Sequence, residues 1–217
     1  MTDLDEKRAR TTTTTANAID TSNFRKHTSA NPIQRRLIDR FHRQIVGRIA
    51  QMAPESFLDA GCGEGFVAAI LRERMPDVEL AGFDFNPDAV QLAAARVPSA
   101  SFATASIFEL PYADNSFDVV GCFEVLEHQH DPLKALKEFT RVTKRTVILS
   151  VPHEPFFCYA NIARGKNLDI RPRGSDPDHK QFWRQKDFGA FVAQELDVVY
   201  LGGSFPWTIC IGRKRRG

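Results

Sequence analysis

The chain has 217 residues, 42% hydrophobic and 26% charged, with a formal net charge of +2. That composition suits one globular domain with a real core and gives no general electrostatic pull toward nucleic acid. The four cysteines, Cys62, Cys122, Cys158 and Cys210, form no CxxC pair, which argues against a structural zinc site and a disulfide framework and fits a reducing cytoplasm.

Residues 1–22 are polar, include the run Thr11 to Thr15, and read as a disordered tail. The N-terminus opens on acids and threonines, so no signal peptide is expected. No apolar run approaches the ~20 residues that cross a bilayer. From residue 23 to 217 a single domain is expected. Its first element is a helix: Leu37, Ile38, Phe41, Ile45 and Ile49 recur at helical spacing, and Asn31-Pro32 is its start signal.

From residue 56 the pattern alternates. SFLDA is a short apolar run, GFVAAILRERM is helical, VELAGFD is a strand, and PDAVQLAAARV is a helix with Pro87 in its first turn. SASFATA reads as a strand, SFDVVGCFEVL begins as one, and DPLKALKEFTRV is a helix capped by Asp131 with Pro132 following. TVILSVP is the next strand. Alternation of this kind implies crossovers and a mostly parallel sheet covered on both faces. Between His153 and Arg184 the periodicity is lost. That stretch is too long for an ordinary connection, so residues 153–183 are expected to form a substrate cap. KDFGAFVAQELD then reads as a helix, and DVVYLGG with PWTICIGRK as two antiparallel strands. The basic run Arg213-Lys214-Arg215-Arg216 reads as a solvated terminus.

The turn after the first strand carries the chemistry. Gly61, Gly63 and Gly65 in LDAGCGEG let a ligand lie against bare backbone. Their GxGxG spacing does not fit the GxGxxG of a dinucleotide turn. The second strand ends in Asp84, where an acid can accept from both ribose hydroxyls. Phe85, just after it, can lie on a purine.

LDAGCGEG with GFDFNP resembles the class I S-adenosylmethionine-dependent methyltransferases, particularly their ubiquinone- and menaquinone-biosynthesis-like small-molecule group. The resemblance is strong over about residues 56–151. It implies a doubly wound, mostly parallel, seven-stranded Rossmann-like α/β sheet, with an N-terminal helix and a cap after the fifth strand. The cofactor it implies is S-adenosyl-L-methionine. Asp59, Ala60, Gly61, Cys62 and Gly63 would hold its amino-acid end, and Asp84 its ribose. Many members place an acid at Ser106 to bind the adenine amino group; here the backbone N–H of Ile107 would serve. Phe123 and His128 flank the donor site in relatives.

Methyl transfer needs alignment of the nucleophile and, for a hydroxyl, a base. The candidates are His128 after the fourth strand, His153 after the fifth, and His179 in the cap, with Glu154 behind them. In EVLEH, Glu124, Glu127 and His128 match a metal set used by some quinone-precursor and small-RNA methyltransferases. Many metal-free relatives carry a similar segment, and no metal is expected here. There is no NPPY tetrapeptide and no Pro-Cys nucleophile, which sets aside the amino-adenine, amide and cytosine methylases. Phe156, Phe157, Tyr159, Phe182 and Trp183 suit an apolar, aromatic or lipid-like acceptor. Arg164, Lys166, Arg171 and Arg173 would serve an acidic one. The sequence thus favours a cytoplasmic small-molecule methyltransferase, O-directed, with a histidine base. A metal-assisted RNA 2′-O-methyltransferase and a non-catalytic cofactor-binding regulator are the alternatives.

Overall fold

The computed structural model describes residues 30–163, 165, 167–170 and 172–215. The tail 1–22 and the side chains of Arg164, Lys166 and Arg171 lie outside the described residues. Helix α1, Pro32–Met52, begins at the expected signal: the Asn31 side chain accepts from the N–H groups of Ile33 and Gln34 at 3.0 and 3.3 Å. This satisfies two of the donors that a helix start leaves open.

A seven-stranded sheet follows. Its strands are β1 Ser56–Ala60, β2 Glu79–Asp84, β3 Ser101–Thr104, β4 Phe117–Phe123, β5 Thr143–Pro152, β6 Leu196–Ser204 and β7 Trp207–Lys214. Their spatial order is β3-β2-β1-β4-β5-β7-β6. The first five are parallel, and β7 runs antiparallel to both β5 and β6. The remaining helices are α2 Phe66–Arg74, α3 Pro87–Arg96, α4 Pro132–Val142, α5 Phe156–Ala163 and α6 Gln185–Val192. Asn86 and Asp131 cap α3 and α4, each accepting a backbone N–H of the first turn.

The pleat sorts the core into two layers. Phe57, Val119, Ile148, Ile209 and Ile211 join Ile38, Phe41, Ile45 and Ile49 of α1 and Leu71 of α2. Their strand neighbours Leu58, Val120, Leu149 and Cys210 turn the other way, onto Leu136 and Phe139 of α4 and Phe188 and Val192 of α6. Both faces are therefore covered, as near-continuous apolar strands require.

Three points depart from the sequence reading. The cap region contains a helix, α5, apolar except for Asn161, which leaves no amphipathic period to read. Trp183 is no free cap aromatic: its ring lies 5.4 Å from Phe188 and 5.2 Å from Phe191, against the core. Of the basic run, Arg213 and Lys214 are part of the fold, since they lie in β7, and Arg216 lies outside the described residues. Lys214 Nζ donates to Asn115 Oδ1 at 2.7 Å and to the carbonyls of Thr143 and Arg141. The Arg215 guanidinium donates to Asp197 and to the carbonyls of Ala193 and Gln194.

Phe41 joins α1 to the sheet, with its ring 4.7 Å from Trp207 and 6.5 Å from Phe123. Phe41→Ala should cost about 3–5 kcal/mol in denaturant unfolding. A cost under about 1 kcal/mol would mean that α1 is not part of the cooperative core.

Candidate active site

The site forms where β1, β2, β4 and β5 end at one edge of the sheet. At the end of β1 the chain turns at once. Gly61 has φ +76°, a region costly for a residue with a side chain. The N–H groups of Gly61 and Cys62 both donate to the carbonyl of Phe83, at 2.8 and 2.9 Å. A Cβ on Gly61 would stand 2.5 Å from Val125 Cγ2. Gly65, also at φ +76°, caps α2 where a Cβ would press on Ala93 at 3.0 Å.

Asp84 organises the second half of the turn. Its Oδ2 accepts from the Gly63 N–H at 3.0 Å and its Oδ1 from the Asn86 N–H at 2.9 Å. A carboxylate has about four acceptor positions, so both oxygens retain capacity for a diol. Burial pushes the Asp84 carboxyl up, and the backbone donors of Asn86 and Gly63 oppose that shift. Phe85 beside it is 81% exposed, an apolar ring with a face to offer. Ile107 is buried, and Ser106 is exposed with its Oγ accepting the Phe108 N–H at 3.2 Å. Ala105 N–H donates to the Asp84 carbonyl, which docks that loop on β2.

Ala60 is fully buried in β1. Next to it, Asp59 is only 2% exposed, and its Oδ2 has no hydrogen-bond partner. Burial first, and the Asp84 charge second, push its carboxyl up to about 7. An orphaned buried carboxylate oxygen beside an open glycine turn fits a ligand ammonium, and S-adenosylmethionine carries one. Cys62 and Cys122 are packing residues. Burial and nearby carboxylates push both thiols up, with Glu127, Asp59, Glu124 and Asp84 all acting on Cys122.

A cavity opens here, lined by Asp59, Gly61 and Cys62, by Phe123 and Glu124 after β4, and by His42 of α1, among others. Sequence reasoning missed His42. It lies 7% exposed on the buried stripe of α1, and a titratable residue at a core position was the signal available. Among the described residues lining the cavity, His42 is the one that can carry positive charge. Trp207, from β7, also lines it. Glu124 sits at φ +59°, a conformation rare for a residue with a side chain. Its Oε1 accepts from Ser150 Oγ at 3.1 Å.

The three candidate histidines fall in two places. His128 and His179 meet, with rings 5.0 Å apart. The His153 ring stands by Phe156, at 5.2 Å, and the backbone N–H of His153 donates to the Pro206 carbonyl. Pro152, just before it, pairs with the cavity residue Trp207. Glu154 is buried, and its Oε2 accepts the Cys158 N–H at 3.4 Å. Among the described residues, the alternative trio Glu124, Glu127 and His128 is not brought together as one ligand set. Glu124 lines the donor cavity, and the ligand atoms that converge are those of Glu127, His128 and His179.

The fold and the glycine turn are similar to those of class I S-adenosylmethionine-dependent methyltransferase domains. Residues 58–151 match the methyltransferase domain family. A demethylmenaquinone methyltransferase of Thermus thermophilus is 34% identical over 123 residues, covering 54% of this chain and 56% of the relative. A ubiquinone/menaquinone biosynthesis C-methyltransferase of Geotalea daltonii is 30% identical over 146 residues, covering 62% of each. The chain spans about half the length of the curated relatives it matches, from 36% to 56% for three of them. The magnesium protoporphyrin IX methyltransferase of Synechocystis, solved with bound S-adenosylhomocysteine, shares the fold. Its TM-score is 0.69 at 15% identity, over 89% of this chain and 92% of that one.

The raised Asp59 pKa gives a test. An acid whose pKa rises on folding holds its proton more tightly in the folded protein. Folded stability therefore falls as pH climbs from the usual carboxylate range through about 7. Asp59→Asn should melt higher than the parent at pH 8, with the gap narrowing at pH 5 and closing only near the ordinary carboxylate pKa, yet bind S-adenosylmethionine more weakly. Equal melting differences at both pH values would show that Asp59 is not held as a strained carboxylate.

Proposed function

We propose that the chain is a cytoplasmic methyltransferase that transfers a methyl group from S-adenosylmethionine to a hydroxyl of an apolar, aromatic or lipid-like small molecule. The observation that carries this reading is the buried, partnerless Asp59 oxygen at the glycine turn, one strand away from the Asp84 carboxylate. S-adenosylmethionine supplies an electrophilic methyl on a sulfonium sulfur. Asp59 would hold the ammonium, Asp84 the ribose diol, Phe85 and the Ile107 N–H the adenine, and His42 the carboxylate. Ala60, Gly61, Cys62 and Gly63 would supply the backbone wall, and Phe123 a flank. No helix among the described residues is long and apolar enough to cross a membrane.

His153 is the proposed base. It leaves β5 one residue past the partner of Trp207, at the edge where acceptor and donor must meet. Around it stand exposed rings: Phe156 is 49% exposed and Phe205 50%, with centroids 6.3 Å apart. Those rings support an apolar acceptor, and residues 153–183 serve as its cap. In the step, the acceptor oxygen forms a bond to the methyl carbon while the carbon–sulfur bond breaks. The hydroxyl proton passes to His153, and S-adenosylhomocysteine leaves. The RNA alternative loses its support in the basic run, because Lys214 and Arg215 are tied to the fold. One relative is named a C-methyltransferase, which favours carbon as the second reading of the accepting atom.

Labelled donor incubated with a metabolite extract, with and without ribonuclease, tests the reading. Label should enter a small organic-soluble product, unaffected by ribonuclease, and carbon NMR should show a methoxy group. A C-methyl signal would move the accepting atom to carbon, and ribonuclease-sensitive label would overturn the small-molecule reading. With that acceptor, His153→Ala should lower turnover by roughly 10²–10⁴-fold and leave donor affinity intact.

A further inference from the structure

Glu127, His128 and His179 come from two separate parts of the chain. Glu127 and His128 lie on the 3-10 turn Leu126–His128 that follows β4. His179 lies in the cap, 51 residues beyond His128. One ligand atom from each falls within 4.8 Å of the others. The Glu127 carboxyl is 2% exposed, and His128 and His179 reach the surface. An ion could therefore enter from solvent while one ligand stays in the interior.

The orientation of His128 fits the role of a ligand. Its Nδ1 lies 3.2 Å from the carbonyl oxygen of Asp178. A carbonyl only accepts, so Nδ1 carries the proton. The lone pair of the neutral ring is then on Nε2, which stands 4.0 Å from Glu127 Oε1. A metal-binding histidine is commonly fixed in this way, by a carbonyl on its other nitrogen. The cap is also registered on the turn through its backbone: Lys180 and Gln181 N–H both donate to the Glu127 carbonyl, at 2.7 and 3.0 Å. Gln181 Nε2 donates to the Gln129 carbonyl at 3.0 Å. These bonds hold His179 beside its two partners.

We infer that Glu127, His128 and His179 form a binding site for a divalent transition-metal cation that clasps the cap to the end of β4. Two imidazoles and one carboxylate suit zinc, manganese or iron better than magnesium, which prefers an all-oxygen shell. Around a tetrahedral zinc, ligand atoms ~2.0–2.2 Å from the ion stand roughly 3.3–3.6 Å apart, so side-chain rotations that draw the three atoms inward complete the set. Remaining coordination positions are open to water. The inference departs from the metal-free expectation of the sequence. It replaces Glu124 with a cap histidine and does not depend on the methyl-transfer reading.

The test uses the full chain, stripped with a chelator and titrated calorimetrically with zinc or manganese, with neither donor nor acceptor present. One saturable site per chain is expected, with magnesium at least tenfold weaker. His179→Ala and Glu127→Gln should each weaken zinc binding tenfold or more, and Glu124→Gln should leave it unchanged. Circular dichroism establishes that each variant is folded. His179→Ala decides alone if Glu127→Gln does not fold, because His179 is half-buried in the cap. Cobalt bound to the parent should give visible absorption that His179→Ala alters. Hydrogen exchange at residues 178–183 should slow when zinc is added. No saturable binding to the parent, or unaltered binding to His179→Ala, would overturn the site.

Discussion

The carbonyl oxygen of Phe83 receives two N–H groups, from Gly61 and Cys62, and the candidate site depends on that fork. It fixes the first turn of the sheet to the end of its neighbouring strand. With the turn held there, Gly63 N–H reaches Asp84, and Asp59 stays in the interior at the mouth of the cavity. A side chain at Gly61 would collide with Val125, so the chain beyond β4 is packed as closely to this turn as backbone allows. The glycines thus serve two approaches at once, one to a ligand and one to the polypeptide.

Negative charge is concentrated around this turn. Asp59, Asp84, Glu124 and Glu127 all bear on the Cys122 thiol. Burying carboxylates opposes folding, and burial with the neighbouring Asp84 charge raises the Asp59 pKa accordingly. The arrangement becomes favourable when cations arrive. In the proposed donor site, the ammonium and sulfonium of S-adenosylmethionine would answer Asp59 and Glu124. At the proposed metal site, a bound cation would answer Glu127. Positively charged ligands held there would offset this crowding of negative charge, and each should stabilise the protein on binding.

Much of the fold was legible because local signals agree. Asn31-Pro32, Asn86-Pro87 and Asp131-Pro132 each open a helix, and apolar strands alternate with them. The turn glycines and Asp84 were legible because few other residues can do their work. The cap was not legible. Apart from Asn161, the residues of α5 are apolar, so no period distinguishes helix from loop. His42 was hidden for a related reason: helical spacing shows a buried stripe but not what the stripe faces. Nor can sequence reveal that His179 meets His128, since that pairing depends on how the cap folds back. Trp183 was misread because an aromatic in an irregular segment looks the same whether it lines a pocket or packs on α6.

The central claim is that the edge of β1 and β2 is a donor site for S-adenosylmethionine. Calorimetric titration of the donor into the parent and into a folded Asp84→Ala variant tests it most directly. The account predicts saturable binding to the parent and a loss of roughly 1.5–3 kcal/mol in the variant, the scale of hydrogen bonds to a charged group. Absence of binding to the parent, or equal affinity in both proteins, would contradict it.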